Sequence, residues 1–172
     1  MHTIQVCYGV TVDVLIFVMS AIAIDTDLGA ITLALRRDAA PRTCDYIIDL
    51  VSRALYDGMS FYRSDFVVQM GLHGSGRTVP NGDLSVNETH SGVRVSNTRG
   101  TAAVAHWDVP DCGNAEFFIN LKANSHLDEA YGGYCVFAQV ADGDATSQAT
   151  MDAVAEAVKR SGQVTVKTVR VV

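Results

Sequence analysis

Phe61-Tyr62-Arg63-Ser64-Asp65-Phe66-Val67-Val68-Gln69 is a short strand-like run, and Glu116-Phe117-Phe118-Ile119-Asn120 is a second. Both spend most positions on bulky apolar and aromatic residues, yet each carries a polar head: Arg63 and Gln69 in the first, Glu116 in the second. A guanidinium beside phenylalanines reads as an apolar pocket with one fixed donor. Around these runs the chain alternates short strands with turns. Ala21-Ile22-Ala23-Ile24 and Ile31-Thr32-Leu33-Ala34-Leu35 are strands joined at Asp27-Leu28-Gly29. Further strands are expected near 61–69, 93–96, 101–105, 117–120 and 135–140, and Val164 to Val171 closes the chain. Two helices interrupt them. Pro41 suits a first helical turn, and Cys44, Ile47, Ile48, Val51 and Leu55 recur at helical spacing, giving an amphipathic helix that ends near Gly58. From about Ser147 to Arg160 a second helix turns Met151, Val154, Ala155 and Val158 inward and stops at Ser161-Gly162. Many short strands with two helices fit a mainly β fold, a closed antiparallel β-barrel capped at its ends.

Composition agrees with one globular domain and excludes other classes. The chain has 172 residues, 48% hydrophobic and 19% charged, enough for a sizeable core and too apolar for disorder. A formal net charge of -6 argues against a nucleic-acid-binding surface. Cys7, Cys44, Cys112 and Cys135 form no C-x-x-C pair, so they read as reduced thiols in a reducing, cytoplasmic compartment, with a bridge between two of them as the alternative. Val10 to Ile24 is almost wholly apolar, but Asp13 interrupts it and no Lys or Arg precedes it, so a secretory signal lacks its charged start. The uninterrupted run of about 20 apolar residues that a membrane span needs is also missing. Residues 1–20 are therefore read as an extension ahead of a domain over 21–172, with an unusual signal or anchor as the alternative. No membrane association is expected.

Other motifs carry little. Gly71-Leu72-His73-Gly74-Ser75-Gly76 lacks the Gly-Lys-Ser/Thr of a phosphate loop and reads as a flexible loop. The five histidines show no metal-ligand spacing, so neither a metal nor any other cofactor is expected. Asp142-Gly143-Asp144 copies two positions of a calcium loop and reads as a turn. Asn87-Glu88-Thr89 is a glycosylation sequon, meaningful only in a secreted chain.

An apolar hollow with a fixed donor is what seating a proline ring and polarising its amide requires. Rotation about an X-Pro bond meets a barrier of about 18–20 kcal/mol because resonance gives C–N partial double-bond character. A donor aimed at the prolyl nitrogen favours the twisted amide in which that resonance is gone, so it stabilises the transition state over the ground state. One charge-assisted hydrogen bond supplies roughly 1.5–3 kcal/mol, or about 10- to 150-fold in rate. Holding the peptide in a dry, shaped site supplies the remainder.

Six motifs stand in the order found in cyclophilins, the cyclophilin-type peptidyl-prolyl cis-trans isomerases: Gly29-Ala30-Ile31-Thr32-Leu33, Ala40-Pro41-Arg42-Thr43, Tyr56-Asp57-Gly58-Met59-Ser60-Phe61-Tyr62-Arg63, Gly100-Thr101-Ala102-Ala103-Val104-Ala105, Phe117-Phe118-Ile119-Asn120 and Tyr134-Cys135-Val136-Phe137. The chain resembles that family from about Ala21 to Val172, and the long loop between Ala105 and Phe117 resembles its bacterial-type branch. The resemblance implies a barrel of about eight strands with two capping helices, a monomer, and proline-containing polypeptides as partners. It makes Arg63 the catalytic donor. Phe66, Val67, Phe118 and Leu127 would form the proline pocket, Gln69 would orient the arginine, Ala105 and His106 would present backbone groups, and Tyr134 would stand at the rim. The alternative is that these apolar residues are plain barrel core and Arg63 a surface charge.

The chain also departs from the family. Two residues separate Arg63 from Phe66 where four are usual, Tyr62 replaces a His, and Met70 replaces the first Gly of a Gly-Gly. Because strand side chains alternate faces, losing two residues keeps Phe66, Val67 and Gln69 on their original faces. Glu116 stands where the family has Gln, and its carboxylate is expected either to pair with Arg63 and compete with substrate or to point away into solvent. His126 falls where many members carry the Trp associated with cyclosporin binding, so weakened cyclosporin affinity is expected. Two functions follow: an X-Pro isomerase acting in protein folding, or a low-activity module that binds proline-containing segments.

Overall fold

Ala21–Thr26 (β1) and Gly29–Leu35 (β2) form an antiparallel hairpin that starts the barrel in a computed structural model, which describes residues 21–172. The extension read over residues 1–20, with Cys7, lies outside the described residues. Ser60–Ser64 (β3), Val67–Gly71 (β4), Thr101–Val104 (β5), Phe117–Asn120 (β6), Val136–Gln139 (β7) and Val164–Val171 (β8) complete the sheet. It closes in the order β1-β2-β7-β5-β6-β4-β3-β8, every pairing antiparallel, so no strand is left with an open edge.

Strand alternation sorts the side chains into two cores. Val68 and Met70 of β4, Ala102 and Val104 of β5, and Phe117 and Ile119 of β6 point into the barrel. There Tyr56 and Phe137 each meet Phe117 edge-on, with ring centroids 5.6 and 5.7 Å apart. Their neighbours Val67, Ala103 and Phe118 point outward and gather with Leu127 and Val136 into a separate buried cluster on the outer wall. The reading of Val67, Phe118 and Leu127 as plain barrel interior is thereby set aside.

Two helices cap the barrel. Pro41–Ser52 (α1) buries Thr43, Cys44, Ile47, Leu50 and Val51, and Ala145–Ser161 (α2) buries Met151, Val154, Ala155 and Val158. Asp144 caps α2 by accepting a bond from Ser147 N at 3.0 Å, and Gly162, in the left-handed region at φ +85°, ends it. The first helix is shorter than its periodicity predicts. Its pattern runs on to Leu55, but Ala54 at φ +53° breaks it after Ser52, and Leu55 packs on the core from the turn that follows.

Two strand expectations need correction. Residues 93–96 form no strand: the alternation Val93-Arg94-Val95-Ser96 is present, but the closed barrel leaves no edge to receive it. Asp128 instead holds this segment, taking bonds from Asn97 N at 2.7 Å, Asn97 Nδ2 at 2.9 Å and the Ser96 hydroxyl. The run 61–69 is two strands rather than one. It turns back at Asp65-Phe66, where Asp65 N donates to Val67 O at 3.0 Å and Val67 N to Asp65 Oδ1 at 3.1 Å.

Candidate active site

The hairpin β3–β4 builds one wall of a groove on the barrel's outer face. Phe61 pairs with Met70 and Arg63 with Gln69, so Tyr62 is the extra residue of a β-bulge. A regular strand would send Tyr62 and Arg63 to opposite faces; the bulge lets both line the same groove. The facing of Val67 and Gln69 thus comes from a hairpin turn and a bulge, not from the unbroken period-two run expected from sequence.

The groove has a volume of about 440 Å³ and is lined by Tyr62, Arg63, Phe66, Val67, Gln69, His73, Ala105, His106, Trp107, Asn114, Glu116, Phe118, Leu127 and Tyr134. Val67, Phe118 and Leu127 are buried in its floor. Tyr134 packs on Phe118 with ring centroids 5.6 Å apart and stacks on His106 at 4.2 Å. The His106 ring is held by the carbonyls of Trp107 and Gly133, at 2.6 and 3.0 Å. His126 does not line the groove; it meets Phe66 edge-on at 5.5 Å. Every other residue anticipated for the pocket does line it.

Beneath the floor lies a buried amide network that sequence reasoning missed. Asn120 Nδ2 donates to Asn97 Oδ1 and Thr101 Oγ1, both at 3.0 Å, and Asn124 Nδ2 to Asn120 Oδ1 at 2.8 Å and to Phe66 O at 3.1 Å. It ties the turn bearing Phe66 to β6 and to the loop bearing Leu127. Tyr62, His73, Trp107 and Asn114 were also missed as lining residues. The last two sit in the loop before β6, whose path no periodicity fixes.

Arg63 lines the same groove and lies over Phe66, its guanidinium carbon 5.4 Å from the centre of that ring. Its Nε and Nη2 donate to Asp65 Oδ2 at 3.0 and 2.8 Å, and its Nη1 to Gln69 Oε1 at 3.1 Å. Neither expectation for Glu116 holds. Its carboxylate does not pair with Arg63 and does not drift in solvent: Oε1 accepts from His73 N at 2.7 Å and Oε2 from the Tyr62 hydroxyl. The carboxylate that does meet Arg63 is Asp65, in the shortened turn. An acid two residues after the arginine, where the chain must reverse, was the available signal. Burial, and next the bond to Glu116, push the Tyr62 phenol above its ordinary range.

Among the described residues no group of three or more His, Cys, Asp or Glu is placed to hold a metal ion, and no helix is long and apolar enough to cross a membrane.

A closed barrel with an apolar groove on its outer wall and one guanidinium lining that groove defines a cyclophilin-like fold. The model of the family described as cyclophilin type peptidyl-prolyl cis-trans isomerase/CLD matches residues 21–172. Peptidyl-prolyl cis-trans isomerase B of Escherichia coli is 34% identical over 126 residues, covering 69% of this chain and 76% of that one. Peptidyl-prolyl cis-trans isomerase-like 1 of Rhizopus delemar is 34% identical over 127 residues, covering 71% and 74%. A crystal structure of a Cryptosporidium parvum cyclophilin type peptidyl-prolyl cis-trans isomerase, in the presence of the dipeptide Ala-Pro, superposes with a TM-score of 0.73 at 18% identity, covering 88% of this chain and 98% of that one. This chain belongs to the cyclophilin-type peptidyl-prolyl cis-trans isomerases, and its enzyme class is isomerase.

Proposed function

We propose that the outer groove seats a proline of a flexible polypeptide on Val67, Phe118 and Leu127 and that Arg63 donates to the prolyl nitrogen as the X-Pro bond twists. The observation that carries this reading is the shared groove: one guanidinium and a buried apolar floor on the same side of the sheet. Among the described residues, Asp65 and Gln69 engage one hydrogen on each of the three guanidinium nitrogens, so Nη1 and Nη2 each keep one free for substrate. The step makes and breaks no covalent bond; it lowers the barrier by stabilising a nitrogen whose lone pair has left resonance.

The Ala-Pro dipeptide present with the Cryptosporidium parvum protein supports a proline-containing partner here. His126 beside Phe66 supports weakened cyclosporin binding. A reducing, cytoplasmic setting is part of the same proposal and rests on the cysteine spacing of the sequence.

The second reading, a binding module with little turnover, is favoured by one observation: Asp65 already takes the Nε and Nη2 edge of the same guanidinium. A protease-coupled proline isomerisation assay separates the two. Arg63→Ala lowers kcat/KM by about 100-fold if the isomerase reading holds. Equal rates for both proteins contradict it.

A further inference from the structure

We propose that Glu116 is a positioning residue for Arg63, because its acceptor-only carboxylate sets the direction of a chain of hydrogen bonds that ends on the guanidinium. This deepens the isomerase reading and rests on it.

The chain begins at the backbone. His73 N donates to one oxygen of Glu116 at 2.7 Å and the Tyr62 hydroxyl donates to the other. A phenol has a single hydrogen, so a Tyr62 that gives it to Glu116 can only accept from Gln69. Gln69 accordingly turns Nε2 to the Tyr62 oxygen, at 2.8 Å. The far end of the same planar amide, Oε1, then faces Arg63 Nη1 at 3.1 Å. Reversing the Gln69 amide would aim N–H groups at a guanidinium, which has no acceptor. Each bond therefore dictates the next, and the ionised carboxylate is the member that gives no hydrogen.

Two features hold Glu116 in this place. Its backbone N donates to Asn114 Oδ1 at 2.9 Å and its carbonyl accepts from Ala105 N at 2.8 Å. Gly71 leaves room for the carboxylate, since a Cβ there would collide with it. The bulge at Tyr62 brings the phenol and the guanidinium to the same side of Gln69.

Glu116→Gln tests the direction because it keeps the size and shape of the side chain while replacing the acceptor-only carboxylate with a group that must also donate; the charge it removes is common to the single and the double variant. The new amide must give its oxygen to the His73 N–H, leaving its NH2 toward Tyr62. Tyr62 then accepts from position 116, and Gln69 Oε1 is the one acceptor the chain leaves for its hydrogen; taking it turns the Gln69 NH2 onto Arg63. The near-isosteric change thus inverts the chain, whereas Tyr62→Phe merely cuts it and lets Gln69 keep its oxygen on Arg63.

The experiment measures kcat and KM in the isomerase assay for wild type, Arg63→Ala, Glu116→Gln, Tyr62→Phe and the double variant, each with thermal unfolding near wild type. Expected are a loss of about tenfold in kcat with little change in KM for Glu116→Gln, about twofold for Tyr62→Phe, and rescue of the double variant to the Tyr62→Phe level. Glu116→Gln at or above wild type, or a double variant as slow as the product of the two losses, overturns the proposal. The Gln69 side-chain NH2 resonances judge the chain independently of turnover: they shift in Glu116→Gln if it inverts, and unmoved resonances overturn it. Equal rates for wild type and Arg63→Ala would instead strike the isomerase reading, leaving those resonances to decide the chain's direction.

Discussion

Asp65 and Gln69 hold different edges of the Arg63 guanidinium, and only one of them carries charge. Both members of the Arg63–Asp65 pair are 43% exposed, so water screens much of their attraction, yet the carboxylate still reduces the field that the guanidinium presents to a prolyl nitrogen. Asp65→Asn keeps an oxygen for Val67 N, turns its NH2 to the guanidinium and so removes the charge together with the two bonds to Arg63. It should raise kcat/KM by about threefold, a modest gain set by the screening; a fall would mean that Asp65 serves Arg63 by orienting it. His126 gives a second test at this scale. His126→Trp adds apolar surface beside Phe66 and should tighten cyclosporin binding by about tenfold in an isothermal titration, against no change if that corner stays clear of the ligand.

Elements show how far local pattern carries. Strands β5 to β8 and helix α2 lie within a residue or two of their expected bounds, because alternation and the helical repeat are local signals. The hairpin turn at Asp65-Phe66 was marked by no more than the polar pair Ser64-Asp65, and the bulge at Tyr62 by nothing that strand alternation reveals. Arg63, Gln69 and the floor residues were legible from their motif order, whereas the acid that meets Arg63, Asp65, depended on the turn and was not among the partners considered for it. The Asn87-Glu88-Thr89 sequon proves structural as well. Glu88, only 5% exposed, accepts from Thr43 N and Thr43 Oγ1 at 2.8 Å and from Arg42 N at 3.2 Å, so a residue far along the chain caps α1. Glu88→Ala leaves those buried donors without a partner and should cost about 2 kcal/mol, read as a lower urea midpoint with an unchanged slope. An unaltered midpoint would show that water replaces the cap without loss.

At the scale of the whole molecule, three buried acids among the described residues, the Cys44 and Cys135 thiols and the Tyr56 phenol, are shifted in the same direction. Burial pushes the Cys44 thiol up to about 12 and the Cys135 thiol up to about 11, and it raises the Tyr56 phenol as well. A group whose folded pKa lies above its unfolded value contributes stability that is complete below the unfolded pKa and is lost as pH rises through the folded one. For the thiols that window opens near the ordinary thiol value of 9.0 and extends to about 11 and 12. Urea unfolding should therefore show stability falling steadily above pH 9, and a thiol reagent at pH 8 should modify Cys112 before Cys44 or Cys135, because those two are buried and protonated. Stability independent of pH from 8 to 11, or early modification of Cys44, would contradict the burial described.

The most direct test of the central claim is two-dimensional exchange NMR on a short Ala-Pro-containing peptide with catalytic amounts of the protein. Cross-peaks linking the cis and trans proline resonances should appear with wild type and vanish with Arg63→Ala at the same concentration. Exchange of equal intensity with Arg63→Ala would contradict the assignment of the rotation step to that guanidinium.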